Sequence, residues 1–579
     1  MKNYTKLLAI PFMALTLLSG CRNNGNISHS AQVDDFGVLP EEVKNFSGNI
    51  DIFDYIEGQE GAMMDIGHKN YEPMDLWDTT MAKFYAAAKE FNKYAPNVKF
   101  NLYYSSIADY NAKVNNYNIQ NGHLPHIMHP VNSMYSLMST GLVTDLSIYK
   151  DTPYYKVFDE SIMAQYNYGG FQVAIPYQIY PMGLFVNTKI LEDQYIEYNE
   201  DFVNNLTMEK FYDVLAQVTN QQNAGIDSPV DGILSIAAPT VYKSYVNDKQ
   251  VDLTSPEINE LLALESTITN YTAYRVNDEG NDWIAKDNYP VISWDGYTSF
   301  ISDELFAFTG TMPWGLAAMS NLSVKLEKED QFDYMPYPKA NEETEQTVGM
   351  MAGGIVIGNQ CPIQNGECSE QRQLERDVAA YFTMFMNADP RAIKAKAEIQ
   401  YTDANRQNVY TGILGLPMVK RNYYYEWETG EDSEDNVKEE IFGYQLGLFL
   451  ETYRMYWTPE DENDTPDVEN YTNIKPGFKK ILELFYGDQE NVICYNSRPN
   501  EVPQGGTGGT VSILADWQNR YFGDGTVTIA DSTWAGWVES KLSVWENQIN
   551  KNIRTAYDYL QEQVDIYYGP GLYDVYESL

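Results

Sequence analysis

From residue 46 the chain alternates between two hydrophobic periods, and this alternation sharply limits the folds open to it. Residues 49–56 (NIDIFDYI) switch between apolar and polar side chains, the two-residue period of a strand. Residues 78–94 (DTTMAKFYAAAKEFNKY) place Met81, Phe84, Tyr85, Ala88 and Phe91 at helical spacing, with Asp78 or Thr79 as cap and Pro96 as stop. Residues 98–104 read as a second strand, 110–119 as a helix, Ile127 and Met128 as a short strand, and 132–139 as a helix closed by Gly141. Strand, helix, strand, helix, strand at this spacing predicts an α/β layer with a mostly parallel sheet, because parallel neighbours need a crossover between them.

Further on, a Gly169-Gly170 turn leads into an apolar run to Tyr177, and residues 183–188 form a separate apolar segment. Helices are predicted from Thr207, over 258–267, and over 376–386 with a stop at Asp389-Pro390. Strands are predicted over 289–294, 332–338 and the glycine-bearing run 350–357. The charge run 426–440 reads as a solvated loop and 504–510 (QGGTGGT) as a flexible turn. Residues 531–559 read as a long helix, with Trp534, Trp537, Val538, Leu542, Trp545, Ile549 and Ile553 along one broad face.

Composition excludes several functions. Hydrophobic residues make up 44% of the 579, enough for a sizeable core, so a fully disordered acidic chain is ruled out; the length calls for two or more domains. With 82 acidic and 39 basic side chains the net charge is −43, which repels nucleic-acid phosphate and anionic lipid alike. At the N-terminus, Lys2 and Lys6 precede an apolar run over 7–18 that ends in Leu18-Ser19-Gly20-Cys21. This ending resembles the lipobox of bacterial lipoproteins, in which the Cys receives a diacylglyceryl group, with palmitate as a typical acyl chain. A diacyl group at Cys21 suffices as an anchor, since each buried methylene contributes about 0.8 kcal/mol. Cys361 and Cys368 could bridge the short loop across Gln364-Asn365-Gly366 or remain thiols, and Cys494 reads as a buried thiol.

Catalytic signals are sparse. The chain has no GxSxG, HExxH or GxxxxGK[ST]. His123, His126 and His129 sit three apart, but Pro125 and Pro130 break a helix there, so they read as loop and core histidines rather than metal ligands. Paired carboxylates for glycoside hydrolysis are the strongest enzymatic alternative.

Several motifs, in order, resemble the family 1 extracellular solute-binding proteins, the sugar-type receptors of ABC importers. They are Asn121-Gly122-His123-Leu124-Pro125-His126-Ile127, Gly141-Leu142-Val143-Thr144-Asp145-Leu146, the crossing at 168–176, Leu184-Phe185-Val186-Asn187-Thr188-Lys189, residues 207–214, 291–296 and 332–338, Gly353-Gly354-Ile355-Val356-Ile357, and Gly415-Leu416-Pro417. His126 stands where the family has Asp, and Met208 where it has Trp.

The resemblance implies a two-lobe α/β fold of the periplasmic-binding-protein type (type II-like), with a ligand cleft between the lobes and a helical C-terminal part. It implies a signal peptide over 1–20, a polar tether over 21–45, a first lobe from 46–176 plus 353–416, and a second from 177–352 plus 417–579. Crossings are expected near 174–180, 349–354 and 416–421. The implied function is a monomeric receptor on the outer face of the cell membrane, anchored through Cys21. It captures an oligosaccharide and delivers it to ABC permease subunits, with no catalysis, cofactor, metal or nucleic acid. A peptide or amino-sugar receptor of the same architecture, and a surface glycoside hydrolase or adhesin, are the alternatives. On motif position the ligand residues are Tyr177 and Tyr180 at the first crossing, Trp294, Asp295 and Tyr297 after the second-lobe strand, then Trp314, Tyr55 and Glu57. Aromatic faces suit sugar C–H surfaces, and carboxylates accept hydroxyl protons.

Overall fold

The computed structural model describes residues 36–56, 58–130, 137–227, 246–247, 250–251, 270–276, 283–285, 298–310, 315–360, 368–402, 406, 408–427, 437–459, 461, 464–487, 492–494 and 534–575. The expected signal peptide, most of 132–139, the segments 258–267 and 289–294, and the turn at 504–510 lie outside these residues.

The main sheet of the described residues has ten strands, beside five two-stranded ones. Its strands are β1 (Gly48–Tyr55), β2 (Gly61–Met63), β3 (Val98–Ser105), β4 (Ile127–Met128), β5 (Ile175–Asn187), β6 (Ala224–Ile226), β7 (Phe306–Thr309), β8 (Phe332–Pro336), β9 (Val348–Ile357) and β10 (Val492–Cys494). Their order is β2-β3-β1-β4-β9-β5-β7-β6, with β8 beside β5 and β10 beside β9. Around them run α1 (Thr79–Phe91), α2 (Ile107–Asn121), α3 (Met208–Val218), α4 (Leu316–Lys325), α5 (Glu370–Ala388), α6 (Pro390–Glu398), α7 (Ile441–Thr452), α8 (Pro476–Tyr486) and α9 (Trp534–Tyr568).

The first half of the sheet follows the predicted alternation. β1 runs parallel to β3 and β4, and α1 and α2 make the crossovers. The Asp78 side chain accepts the Thr80 N–H at 2.7 Å and caps α1. The buried stripe of α1 then meets α5: Phe91 lies 5.4 Å from Phe382 and 5.2 Å from Phe385, and Phe382 lies 4.1 Å from Phe100 on β3. Such ring pairs each add about 0.5–1.5 kcal/mol beyond their burial, so this cluster fixes helices to sheet. Ser369 caps α5, which starts six residues before the predicted 376.

The sheet continues into its second half through two long strands. β5 and β9 pair antiparallel from Met182 opposite Gly349 to Ile175 opposite Ile355. One end of β9 also pairs with β4, while the last residues of β5 pair with β7 and β8. The prolines and glycine at 176, 181 and 183 suggested two segments here, yet tertiary pairing holds them in one 13-residue strand. Gly183 is needed for close approach: a Cβ there would lie 2.3 Å from the Met335 carbonyl oxygen.

The second half is held by a buried carboxylate. Asp333 on β8 accepts hydrogen bonds from the N–H groups of Gly477 (2.7 Å), Phe478 (3.3 Å) and Tyr334 (2.7 Å) and from the Tyr198 hydroxyl (2.9 Å). Two of these donors belong to the first turn of α8, whose own N-cap, Lys475, supplies no acceptor. Lys475 donates instead to the Phe332 carbonyl at 2.8 Å. Burial pushes the Asp333 pKa up to about 6, with Lys475 and the hydrogen bonds pulling the other way.

Two further elements differ from expectation. The flanks of the charge run are a hairpin, with residues 424–427 paired antiparallel to 437–440, because Tyr425 packs on Phe36 and Trp427 donates to Glu439 at 2.8 Å. α9 runs on past 559 to Tyr568, because Tyr557, Leu560 and Val564 form a buried stripe there. Its end packs on residues 141–173: Phe171 contacts Tyr568 and Tyr573, and the Tyr573 hydroxyl donates to Asp145 at 2.7 Å. The start of the described chain seats nearby, with Phe36 5.1 Å from Tyr154 and the Gly37 carbonyl accepting from Arg391 at 2.7 Å. No helix among the described residues is long and apolar enough to cross a membrane.

Asp333→Ala leaves the first turn of α8 and the Tyr198 hydroxyl without an acceptor. It is expected to lower unfolding free energy by about 3 kcal/mol, and Asp333→Asn, which keeps one acceptor, by roughly half that. Urea unfolding of the two variants beside wild type measures both.

Candidate functional site

Parallel strands place ligands beyond their C-terminal ends. Where β1 and β4 end, a cavity of about 360 Å³ opens between them, the N-terminus of α1, the middle of β5, α6, α7 and the loop 413–418. The register of β5 explains how it reaches this place. Pro176 lies opposite Gly354 and Gln178 opposite Gly353, so Tyr177 is the extra residue of a β-bulge. A bulge bends its strand and re-aims a side chain.

The Tyr177 ring lies against Phe84 (5.9 Å) and His129 (4.9 Å), and its hydroxyl points at Asp54 at 3.4 Å. Asp54, at the end of β1, is 1% exposed. It accepts the Tyr55 N–H at 2.8 Å and lies 3.0 Å from His129 Nδ1, so that nitrogen is assigned the proton. The next residue, Tyr55, stacks on the His129 ring at 5.1 Å. A Cβ on Gly353 would stand 3.0 Å from His129 Nε2, so β9 supports the imidazole from the other side. The Tyr55 pKa is pushed up to about 12 by burial and then by Asp54 and Asp78.

Two buried lysines share the cavity. Lys83 on α1 holds its ammonium 4.2 Å from the centre of the Tyr177 ring. Burial lowers its pKa to about 8, against the attraction of Asp54 and Asp78. Lys396 on α6 is 6% exposed, and its pKa falls to about 7, first from burial and then from the charge of Lys83. Burial raises the Asp78 pKa, opposed by its bonds from Thr80. Amides complete the lining. Asn387 donates to the Thr383 carbonyl at 3.0 Å, while its Oδ1 has no partner among the described residues. Gln445 donates to the Ala388 carbonyl at 3.1 Å, and Gln178 stands beside the bulge. Tyrosine faces, amides and charged groups in one hollow suit a ligand with apolar faces and hydroxyl edges.

The structure brings Tyr55, Tyr177 and Tyr180 together in this lining. Glu57, Trp294, Asp295, Tyr297 and Trp314 lie outside the described residues, as do Cys21 and Cys361. Cys368 is disulfide-bonded. The other two histidines are taken up locally: His123 Nδ1 meets the Leu124 carbonyl at 2.8 Å, and His126 Nδ1 accepts the Asp51 N–H at 3.0 Å. Among the described residues no group of three or more His, Cys, Asp or Glu could hold a metal ion. The sequence reading missed Lys83 and Lys396, yet a signal was present. Both interrupt buried helical stripes, Lys83 between Ala82 and Phe84, and Lys396 one turn after Ala392 and Ile393. A larger hollow of about 620 Å³ is lined by the exposed Lys150, Lys156 and Glu160, with Lys420 paired to Glu160; none of its charged groups is buried, unlike Lys83 and Lys396.

No protein-family model matches the chain. No curated protein matches it either. Solved structures do match in fold. A sugar transporter protein from Rhizobium etli in an open conformation has 11% identity and a TM-score of 0.51, over 88% of this chain and 99% of its own. An ABC transporter solute-binding protein from Thermotoga lettingae, bound with α-D-tagatose, has 10% identity and a TM-score of 0.50, over 88% and 100%. The cyclic α-maltosyl-1,6-maltose binding protein from Arthrobacter globiformis has 11% identity and a TM-score of 0.50, over 88% and 100%. The chain thus has the two-lobe α/β fold of the ABC sugar-binding proteins.

Lys396 also sets a pH dependence. Its pKa is near 7 folded and about 10.4 unfolded, so the unfolded chain binds more protons between these values. The penalty is complete below pH 7 and fades toward pH 10, so this group makes stability rise across that window. Lys83 acts in the same direction from about 8 upward. Lys396→Met is expected to raise the melting temperature at pH 7 and to flatten the rise between pH 7 and 10; melting curves at several pH values test this.

Proposed function

We propose that this chain captures a carbohydrate, most fittingly an oligosaccharide, in the cavity where β5 and β9 join the two halves, and delivers it to an ABC permease without chemical change. The observation that carries the reading is the converging set of Tyr55, Tyr177 and Tyr180 with the amides of Gln178, Asn387 and Gln445. The fold supports it, and two of the matching structures are described with a sugar ligand or as sugar-binding. Tyr55 and Tyr180 are half-buried and offer ring faces, whereas buried Tyr177 holds Asp54 and Lys83 in place. Trp294, Asp295, Tyr297, Trp314 and Glu57 remain proposed contacts from motif position.

In the same reading, lobe 1 is built on 46–176 plus 353–416 and lobe 2 on 177–352 with α8, while the hairpin of 424–427 with 437–440 and the residues ending α9, from the 417–579 stretch expected in lobe 2, seat on lobe 1. Ligand binding closes them, because a ligand that touches both halves binds the closed form more tightly. The mature protein is a monomer held outside the cytoplasm by a diacylglyceryl group on Cys21. Its partners are the ligand, the membrane lipid and the permease subunits.

Thermal melting against a panel of oligosaccharides, with short peptides as controls, tests the binding. A ligand at about 100 times its Kd adds roughly 2.7 kcal/mol to stability. A shift with a glycan class and no new product supports a carrier; shifts with peptides alone, or new reducing ends in the same tube, overturn it. Tyr180→Ala is expected to weaken the binding by roughly 10-fold, the loss of one aromatic platform, in isothermal titration.

A further inference from the structure

We infer that the glycan held in this cavity carries an anionic group, a carboxylate, sulfate or phosphate, which seats against Lys396. The inference rests on the carbohydrate reading above and narrows its substrate class.

The other charged groups in and behind the cavity wall already have partners. Asp54 is occupied by His129, the Tyr55 N–H and the Tyr177 hydroxyl. Asp78 is occupied by the cap of α1. Both carboxylates also attract Lys83, whose ammonium lies over the Tyr177 ring, so Lys83 is compensated within the apo protein. Lys396 is different. It lines the cavity and is more than nine-tenths buried. Its ammonium has no hydrogen bond or ion pair among the described residues, and the charged group acting on it there is Lys83, which repels it.

A buried cation without a partner is unfavourable, and an anion brought into the same hollow removes that penalty while forming a charge-assisted hydrogen bond. With Lys83 offset by Asp54 and Asp78, the uncompensated charge at that wall is the one on Lys396, whose helix packs on α1, inside a protein whose net charge is −43. The surface charge is screened within about 8 Å at physiological salt, so these local groups decide what the cavity prefers. A neutral sugar hydroxyl accepts a hydrogen bond from Lys396 but leaves its charge uncompensated. A cationic amino sugar would be repelled at that wall.

The test compares matched ligands on the wild-type protein by isothermal titration at pH 7. Uronate oligosaccharides are set against their methyl esters, and sulfated and phosphorylated sugars against the parent sugars, so that the three anion types are separated. The expected result is that one acidic class binds roughly 10- to 100-fold more tightly than its neutral counterpart, the range of a charge-assisted hydrogen bond. In Lys396→Met and Lys396→Gln that ratio is expected to fall to near one, in proteins that melt no lower than wild type. Equal affinity for acid and ester, or a preference that survives in both variants, overturns the inference and leaves the carbohydrate reading standing. Binding of free organic acids such as citrate, with no sugar of either kind bound, overturns both.

Discussion

The antiparallel pairing of β5 and β9 is the constraint on which the rest depends. These two strands belong to both halves of the sheet, so their register sets where one half stands relative to the other. The bulge at Tyr177 breaks the ladder at one point, and the extra residue is the one that meets Asp54, His129 and Lys83. Ladder regularity is thereby exchanged for side-chain direction.

Buried charge is handled in two opposite ways. In the second half Asp333 has four donors and a lysine nearby, and its work is to tie α8 to β8. Every lone pair it needs to use is used, and nothing is left for a ligand. In the cavity Lys396 has a lowered pKa from the same physical cause, burial, but no partner among the described residues. Comparable desolvation thus serves structure in one place and leaves unspent binding capacity in the other.

Much of the first half was legible because its helices and strands lie on one sheet with one period each. Residues 49–52 and 98–102 alternate polar with apolar side chains, and Asp78 is a plain cap. β5 was not legible as one strand. Its prolines and Gly183 act against a strand locally, and only pairing with β9, β7 and β8 overrides them. The hairpin around the charge run escaped for a similar reason, since its stability comes from Phe36 and Arg391, far away in sequence. In the cavity, Tyr55, Tyr177 and Tyr180 could be placed by motif position. Lys83 and Lys396 could not, because a helix lysine reads as solvent-facing until the stripe it interrupts is noticed.

The two ends of the described chain seat on the same body. Phe36 and Gly37 lie against Tyr154 and Arg391, and the residues after α9 lie against Asp145 and Phe171. That body is continuous with β4 and β9, since the Thr144 N–H donates to the Ile357 carbonyl. A pull entering ahead of Phe36 therefore reaches this body first, through the Phe36–Tyr154 contact and the Gly37–Arg391 bond, whereas α9 also touches residues 250–251 and so couples the far end to both halves. A fluorophore meant to report an angle between the halves belongs on α3 or α8, which pack on β6 and β8 away from both seats.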